Sequence, residues 1–513
     1  VHNTRYARYG MVCSVDHLAS AAGVNALERG GSAADAAIAT NAVLAVTAPH
    51  LCGMGGDLFA LVHADGEVTA LDASGRAGSG ADAAQLRSEG HERMPHLKDI
   101  RSVTVPGCVD GWLALHDRYG RLPLEQLLAP AIRLAESGFP ASPLMAPGAP
   151  LMAEQPGGTD YAPVRAAGDL MTRPGVARAL LSIVEDGRDG FYLGEFGGGL
   201  LELGAGEYTS EDLAKATGEW VRPLSVEAFG HRIWSMPPVS QGYLLLLSLG
   251  IVDGLDLPDS PEHPAFAHLL AEASRAAGHD RLALLYENAT GLVGPEEIAR
   301  RRALVDPAAR SRLAAPTADG DTTYLCAVDG EGMGVSLIQS NASGFGSLLI
   351  EPNTGINLHN RGIGFSLEPG HPAEYAPGRR PPHTLAPALI TRPDGSLRSV
   401  VGTMGGDAQP QILLQVITSL LKYGRQPGQA LAAPRWRLGS TTGFDTWTDP
   451  DAIVLQLEEG APWTGGLESL GHPVAAVPYG SSFGHAHLID VQDNGVLAGA
   501  ADPRSLIGAA LGI

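Results

Sequence analysis

Small and apolar residues recur at helical spacing through residues 17–49, broken once by Gly30-Gly31, which predicts two helices with Ser32 capping the second. From Asp57 the period changes to two, and "GDLFALVHADGEVTALDASGR" predicts a hairpin about Asp65-Gly66. Helical spacing returns over residues 111–140, whereas the Pro- and Gly-rich residues 139–163 predict a long surface loop. A second helical block covers residues 263–289, and the segment after it ends in a connector-like run, "APTADGD". Beyond Thr322 the pattern is mostly strand. "TTYLCAVD" and "GVSLIQS" flank turn glycines, residues 384–407 and 485–504 alternate around D-G and N-G turns, and residues 410–424 form a helix between them. These patterns predict an α+β protein, helix-rich before residue 321 and strand-rich after it, with helices packed on stacked antiparallel sheets.

The length of 513 residues exceeds the usual single core, so the chain holds two or more domains or one large layered domain. Its 44% hydrophobic and 18% charged residues are ordinary for a globular protein. A net charge of −21, with no basic block, argues against nucleic acid and anionic membrane as partners. Neither an apolar leader core nor a membrane-length apolar run is evident, and a cytoplasmic location is expected. Cys13, Cys52, Cys108 and Cys326 are widely spaced, which favours plain buried thiols over a zinc site or a disulfide framework.

Three stretches invite chemistry. "GSSFG" places Ser482 in a G-x-S-x-G pattern, but a strand pattern follows where a nucleophile elbow needs a helix. His485 and His487 in "HAH" share one strand face without a companion cluster, so a packed strand is expected rather than a metal site. The third is "DGDTTY". A threonine hydroxyl is almost never ionised at neutral pH and needs an adjacent base, which a free α-amine on the same residue can provide. An internal Thr322 acquires that amine only if the bond after Asp321 is cut, and its own hydroxyl can make the cut through an ester that water hydrolyses. On pattern alone, Thr-Thr opening a strand usually reflects β-propensity.

The succession "GMVCSVDHLASAAGVNALERGGSAADAAIA", "VPGCVDGWLALHDRYGRLPLEQLLAPAIRLAESGF", "IWSMPPVSQG", "TTYLCAVD", "GTMGGDAQPQ" and "GAADPRS" resembles the γ-glutamyltransferase family of N-terminal-nucleophile hydrolases over almost the whole chain. The resemblance implies a four-layer αββα sandwich and a proenzyme that cleaves itself between Asp321 and Thr322. Residues 1–321 would be the large-subunit region and 322–513 the small-subunit region, the two remaining together, and a dimer of such pairs is allowed. It implies Thr322 as nucleophile and base, Ser340 as the hydroxyl that orients it, with Thr323 a weaker choice, and Gly405 and Gly406 as donors to the oxyanion. No cofactor or metal is implied. The partners are a small-molecule acyl donor, with water or an amino acid as acceptor.

The substrate clamp departs from the family pattern. Arg76 in "DASGRAG" is displaced by about two positions and Asn341 in "SNASG" by about one from the family's carboxylate-binding residues, and His383 and Thr384 stand where a serine pair is usual. Arg361 and Gly364 replace the groups that hold an α-ammonium, and a guanidinium there repels that ammonium and suits a carboxylate. An ordinary ion pair for Arg361 is the plainer alternative. The expected activity is hydrolysis or transfer of an acyl group from a γ-glutamyl or related amide. Two rivals are a relative in antibiotic biosynthesis that hydrolyses a C–C bond of a pyrroline acid, and a non-catalytic binding relative.

Overall fold

The structure, a computed structural model, describes residues 3–311, 313, 321–440, 453–481 and 483–513. Two seven-stranded antiparallel sheets form its centre. The first runs in the order Ala509–Gly512, Gly10–Ser14, Asp321–Asp329, Gly334–Ala342, Asp57–Ala64, Glu67–Ala73, Glu219–Val221. The second runs Arg5–Ala7, Leu497–Ala501, Ala486–Val491, Leu397–Thr403, Ala388–Thr391, His231–Ser235, Leu224–Ala228.

Alternation along each strand sorts the side chains into three apolar layers. Leu325, Ala327, Val335 and Leu337 point outward from the first sheet into a core shared with the helices His17–Glu28, Ala33–Thr47, Cys108–Tyr119 and Leu124–Ser137. Tyr324, Cys326, Val328 and Ile338 point the other way, against Leu389, Val400 and Ile489 of the second sheet. Ile390, Val401 and Leu488 face a third core with the helices Gly242–Asp253, Pro264–Gly278 and Gln409–Leu421. Each fully buried Leu, Ile or Val in these layers contributes about 1.5–3 kcal/mol relative to exposure. The molecule is therefore a four-layer αββα sandwich.

The paired N-terminal helices form as the spacing predicts. Asp16 caps the first through Leu18 N–H, and Ser32 and Asp35 form a reciprocal capping box on the second. The second helix is buried all round, which its small side chains permit, and it lies against the strands Asp321–Asp329 and Gly334–Ala342. The hairpin about Asp65-Gly66 forms as well.

One expectation needs correction. Residues 139–163 are not a plain surface loop: Phe139–Pro140 pairs with Leu170–Met171, Ala149–Ala153 is helical, and Met145, Met152 and Tyr161 are buried in the helix-side core. Their apolar anchors outweigh the Pro and Gly punctuation. Helices predominate before residue 321 and strands after it, as the pattern predicts, and each sheet takes strands from both sides of that position. Ser482 and most of the predicted connector, residues 314–320, lie outside the described residues. All four cysteines are buried and free. Among the described residues no helix is long and apolar enough to cross a membrane.

Candidate active site

The alternation that places Tyr324 and Cys326 between the sheets places Thr322 on the same face, and Thr323 on the other. The ladder shifts register here: Asp321 pairs with Ala342 but Thr323 pairs with Gln339, so Ser340 and Asn341 together stand opposite Thr322. Such a bulge re-aims a side chain, and it brings Ser340 Oγ to 3.0 Å from Thr322 Oγ1. Ser340 in turn pairs across the next ladder with Asp57. Thr322, Ser340 and Asp57 thus form a row of three buried polar residues on adjacent strands, all facing the space between the sheets.

The row is covered by Arg361, which opens a short 3-10 turn, Arg361–Gly364. Its guanidinium donates from Nη2 to Ser340 Oγ (3.2 Å) and from Nη1 to Thr384 Oγ1 (3.0 Å), while Nε lies 3.5 Å from Asp57 Oδ2. Ser340 Oγ also accepts Ala342 N–H at 2.8 Å. Burial lowers Arg361 to about 10 against the pull of Asp57 and Asp407, so the group is still charged at neutral pH. Asp57 is fully buried. Burial alone would raise its carboxyl, but His359 and His383 overcome this and hold it well below the usual range.

His383 donates from Nε2 to Asp57 Oδ2 at 2.8 Å, and its ring meets Phe59 edge-on. Burial and the Arg361 charge push it down to about 3 despite Asp57, so it is neutral. His359 sits between Asp57, 3.3 Å from Nδ1, and the Thr104 carbonyl, 2.9 Å from Nε2.

Gly405 and Gly406 follow the strand Leu397–Thr403 and lead into the helix Gln409–Leu421. Gly405 has φ +131°, open only to glycine, and Gly406 has φ +52°. Gln241 ties this turn to the rest of the site, donating from Nε2 to Gly406 O (3.0 Å) and Thr384 O (2.7 Å). One network therefore links Thr322, Ser340, Arg361, Thr384, Gln241 and Gly406.

The other expected residues are placed differently. Asn341 is buried, donating to Pro49 O at 3.2 Å. Thr323 Oγ1, on the helix face, has no hydrogen-bond partner among the described residues. Arg76 is held by Glu287 (2.8 Å), Glu219 (3.2 Å) and the Gly378 carbonyl, so its contacts lie apart from this network. His383 is fully buried, with Asp57 on one nitrogen and Leu385 N–H at 3.5 Å on the other, so it faces Asp57 rather than an open cleft. His485 and His487 are buried and lowered by burial to about 4 and 3, and among the described residues no group of three or more His, Cys, Asp or Glu could hold a metal ion.

Asp57, His359 and Gln241 escaped the sequence reading. Asp57 carried a signal, a carboxylate opening an otherwise apolar strand directly after Gly55-Gly56. Gln241 stands in the quoted "PPVSQG", where nothing local distinguishes it from a turn residue.

Comparison with known proteins gives a consistent result. The family Gamma-glutamyltranspeptidase matches residues 19–512. The chain is 36% identical to the glutathione hydrolase-like YwrD proenzyme of Bacillus subtilis, over 98% of each chain. It is 35% identical to the oxamate amidohydrolase proenzyme of Klebsiella pneumoniae, over 98% of this chain and 99% of that one. The crystal structure of cephalosporin acylase from Bacillus halodurans superposes with a TM-score of 0.91 at 35% identity, over 100% of this chain and 97% of that one. With this match across nearly its whole length and the four-layer sandwich beneath it, the chain belongs to the gamma-glutamyltranspeptidase family of autoprocessing amide hydrolases and acyltransferases.

Proposed function

We propose that this protein cleaves itself between Asp321 and Thr322 and then hydrolyses a small amide whose acyl half carries a carboxylate. The observation that carries this reading is the contact row Thr322, Ser340, Arg361: a buried, charged guanidinium one hydroxyl away from the nucleophile. A fixed cation at that distance recognises an anionic group on the acyl fragment and repels a free α-ammonium. The oxamate amidohydrolase relative, whose named substrate carries a carboxylate on its acyl half, fits the same chemistry.

In the proposed cycle the new α-amine of Thr322 takes the hydroxyl proton as Oγ1 attacks the amide carbonyl. Ser340 holds Oγ1 in line, and the backbone N–H groups of Gly405 and Gly406 receive the oxyanion. The amine leaves with the proton, and water attacks the resulting threonyl ester in the same way. Arg361 and Thr384 bind the acyl carboxylate, and Asn341 shapes the wall behind Ser340. Arg76, held by Glu219 and Glu287, has no part in this cycle. Because both sheets interleave strands from before and after residue 321, residues 1–321 and 322–513 stay together after cleavage.

The test is intact-mass measurement of wild type beside Thr322→Ala, followed by turnover of oxamate, a glutaryl amide, glutathione and an amide with a neutral acyl group. Fragments of roughly 33 and 20 kDa are expected in the wild type alone, with the carboxyl-bearing amides preferred over the neutral one. An uncleaved wild type that remains inactive, or a preference for the neutral acyl group, would count against the proposal.

A further inference from the structure

Of the groups around Thr322, Asp57 has no role in the cycle above, yet it is fully buried among several polar and charged partners. Its Oδ1 accepts Gly75 N–H at 3.1 Å. Its Oδ2 gathers three groups: His383 Nε2 at 2.8 Å, His359 Nδ1 at 3.3 Å and Arg361 Nε at 3.5 Å. His383 is neutral, whereas Arg361 is a buried cation that needs a counter-charge. A planar guanidinium is fixed by three points, and here they are Asp57, Ser340 and Thr384. Two of these are hydroxyls, which orient the cation without neutralising it.

A buried cation without a counter-ion is costly by several kcal/mol, so it turns toward whatever carboxylate it can reach. For Arg361 the next is Asp407, whose charge already bears on it and which follows Gly405-Gly406 in the chain. Turning toward Asp407, which Arg281 already meets at 3.2 Å, would reorient the guanidinium. The cross-strand register prevents it, because Asp57 stands directly opposite Ser340 and Nε and Nη2 span that pair.

We propose that Asp57 is the positioning residue for Arg361, anchoring the guanidinium over Ser340 so that its Nη face meets an anionic acyl group. This rests on the reading of Arg361 as the acyl-carboxylate ligand. Asp57 touches neither the nucleophile nor substrate and acts through the cation alone.

The experiment is a double-mutant cycle with Asp57→Asn, Arg361→Gln and the double variant, assayed on a carboxyl-bearing and a neutral-acyl amide. Asp57→Asn is expected to lower kcat/KM on the carboxyl-bearing amide by about tenfold or more, carried by KM, and by under about threefold on the neutral one. In the Arg361→Gln background the same change should add little. An equal loss in both backgrounds, or an equal loss on both amides carried by kcat, would overturn the proposal. Should Asp57→Asn fail to fold or mature, the double variant decides, since removing both charges leaves no unpaired buried ion. A folded double variant matching Arg361→Gln supports the role, and one that also fails makes Asp57 a scaffold for the two histidines instead. If the wild type prefers the neutral amide, the substrate reading fails by itself, and the coupling of Asp57 to Arg361 is then read on that amide.

Discussion

A hydroxyl 3.0 Å from another hydroxyl is a modest interaction in water and a consequential one in a buried interior, where Ser340 Oγ is the hydrogen-bond partner of Thr322 Oγ1. Removing it leaves three groups wanting: Thr322, the Ala342 N–H and Arg361 Nη2. Ser340→Ala should therefore lower both the rate of self-cleavage and kcat by about 10- to 100-fold, since one lost orienting or oxyanion-type contact is worth that much. Ser340→Thr keeps the oxygen and adds a methyl group, and should retain activity within about tenfold. Timed mass spectra of freshly purified precursor give the first rate, and amide turnover by the matured protein gives the second. Equal losses in both variants would mean that the oxygen at this position is not what matters.

At the scale of elements, what aligns the row is how closely the strands approach. Gly56 precedes the strand Asp57–Ala64, and a Cβ there would lie 2.3 Å from the Ser340 carbonyl and 2.8 Å from Asn341 Oδ1. No L side chain fits without pushing the strand Gly334–Ala342 away. Gly56→Ala should destabilise the protein by about 2–4 kcal/mol and misplace Ser340 enough to leave most of the precursor uncleaved. Denaturant melts and gel analysis of the same preparation check both effects; normal cleavage at wild-type stability would show that the strands have room to spare. Thr322 and the Gly405-Gly406 turn were singled out by the family resemblance, whereas the strand itself and the capped N-terminal helices were legible as local patterns. Asp57, His359 and Gln241 were not, because they join Thr322 only through strands and loops that meet across 150 to 300 residues of chain. Arg76, already displaced by about two positions from the family pattern, is held by Glu219 and Glu287, both distant in sequence.

For the whole molecule, packing two sheets face to face between helices removes many titratable rings from water. His50, His383 and His487 are lowered to about 3, His472 and His485 to about 4, with burial the largest cause in each. In the unfolded chain each titrates near 6.5. Between the folded and unfolded values the unfolded state binds more protons, so stability rises with pH across that window and is lost as pH falls below about 6.5. The slope approaches about 1.4 kcal/mol per pH unit for each ring, and several titrate together. Carboxylates held low, such as Asp57 and Asp502, the latter near 2, give up their contribution only at lower pH. Acid sensitivity should therefore begin well above the carboxylate range. Thermal melts at constant ionic strength should show a nearly level Tm from pH 8 to 7, a steepening fall from pH 6.5 to 4, and no second plateau between. A Tm that holds level down to pH 5 would mean that these histidines reach water or a proton donor in the folded protein. The interior between the sheets would then be wetter than the contacts of Asp57 and Arg361 require.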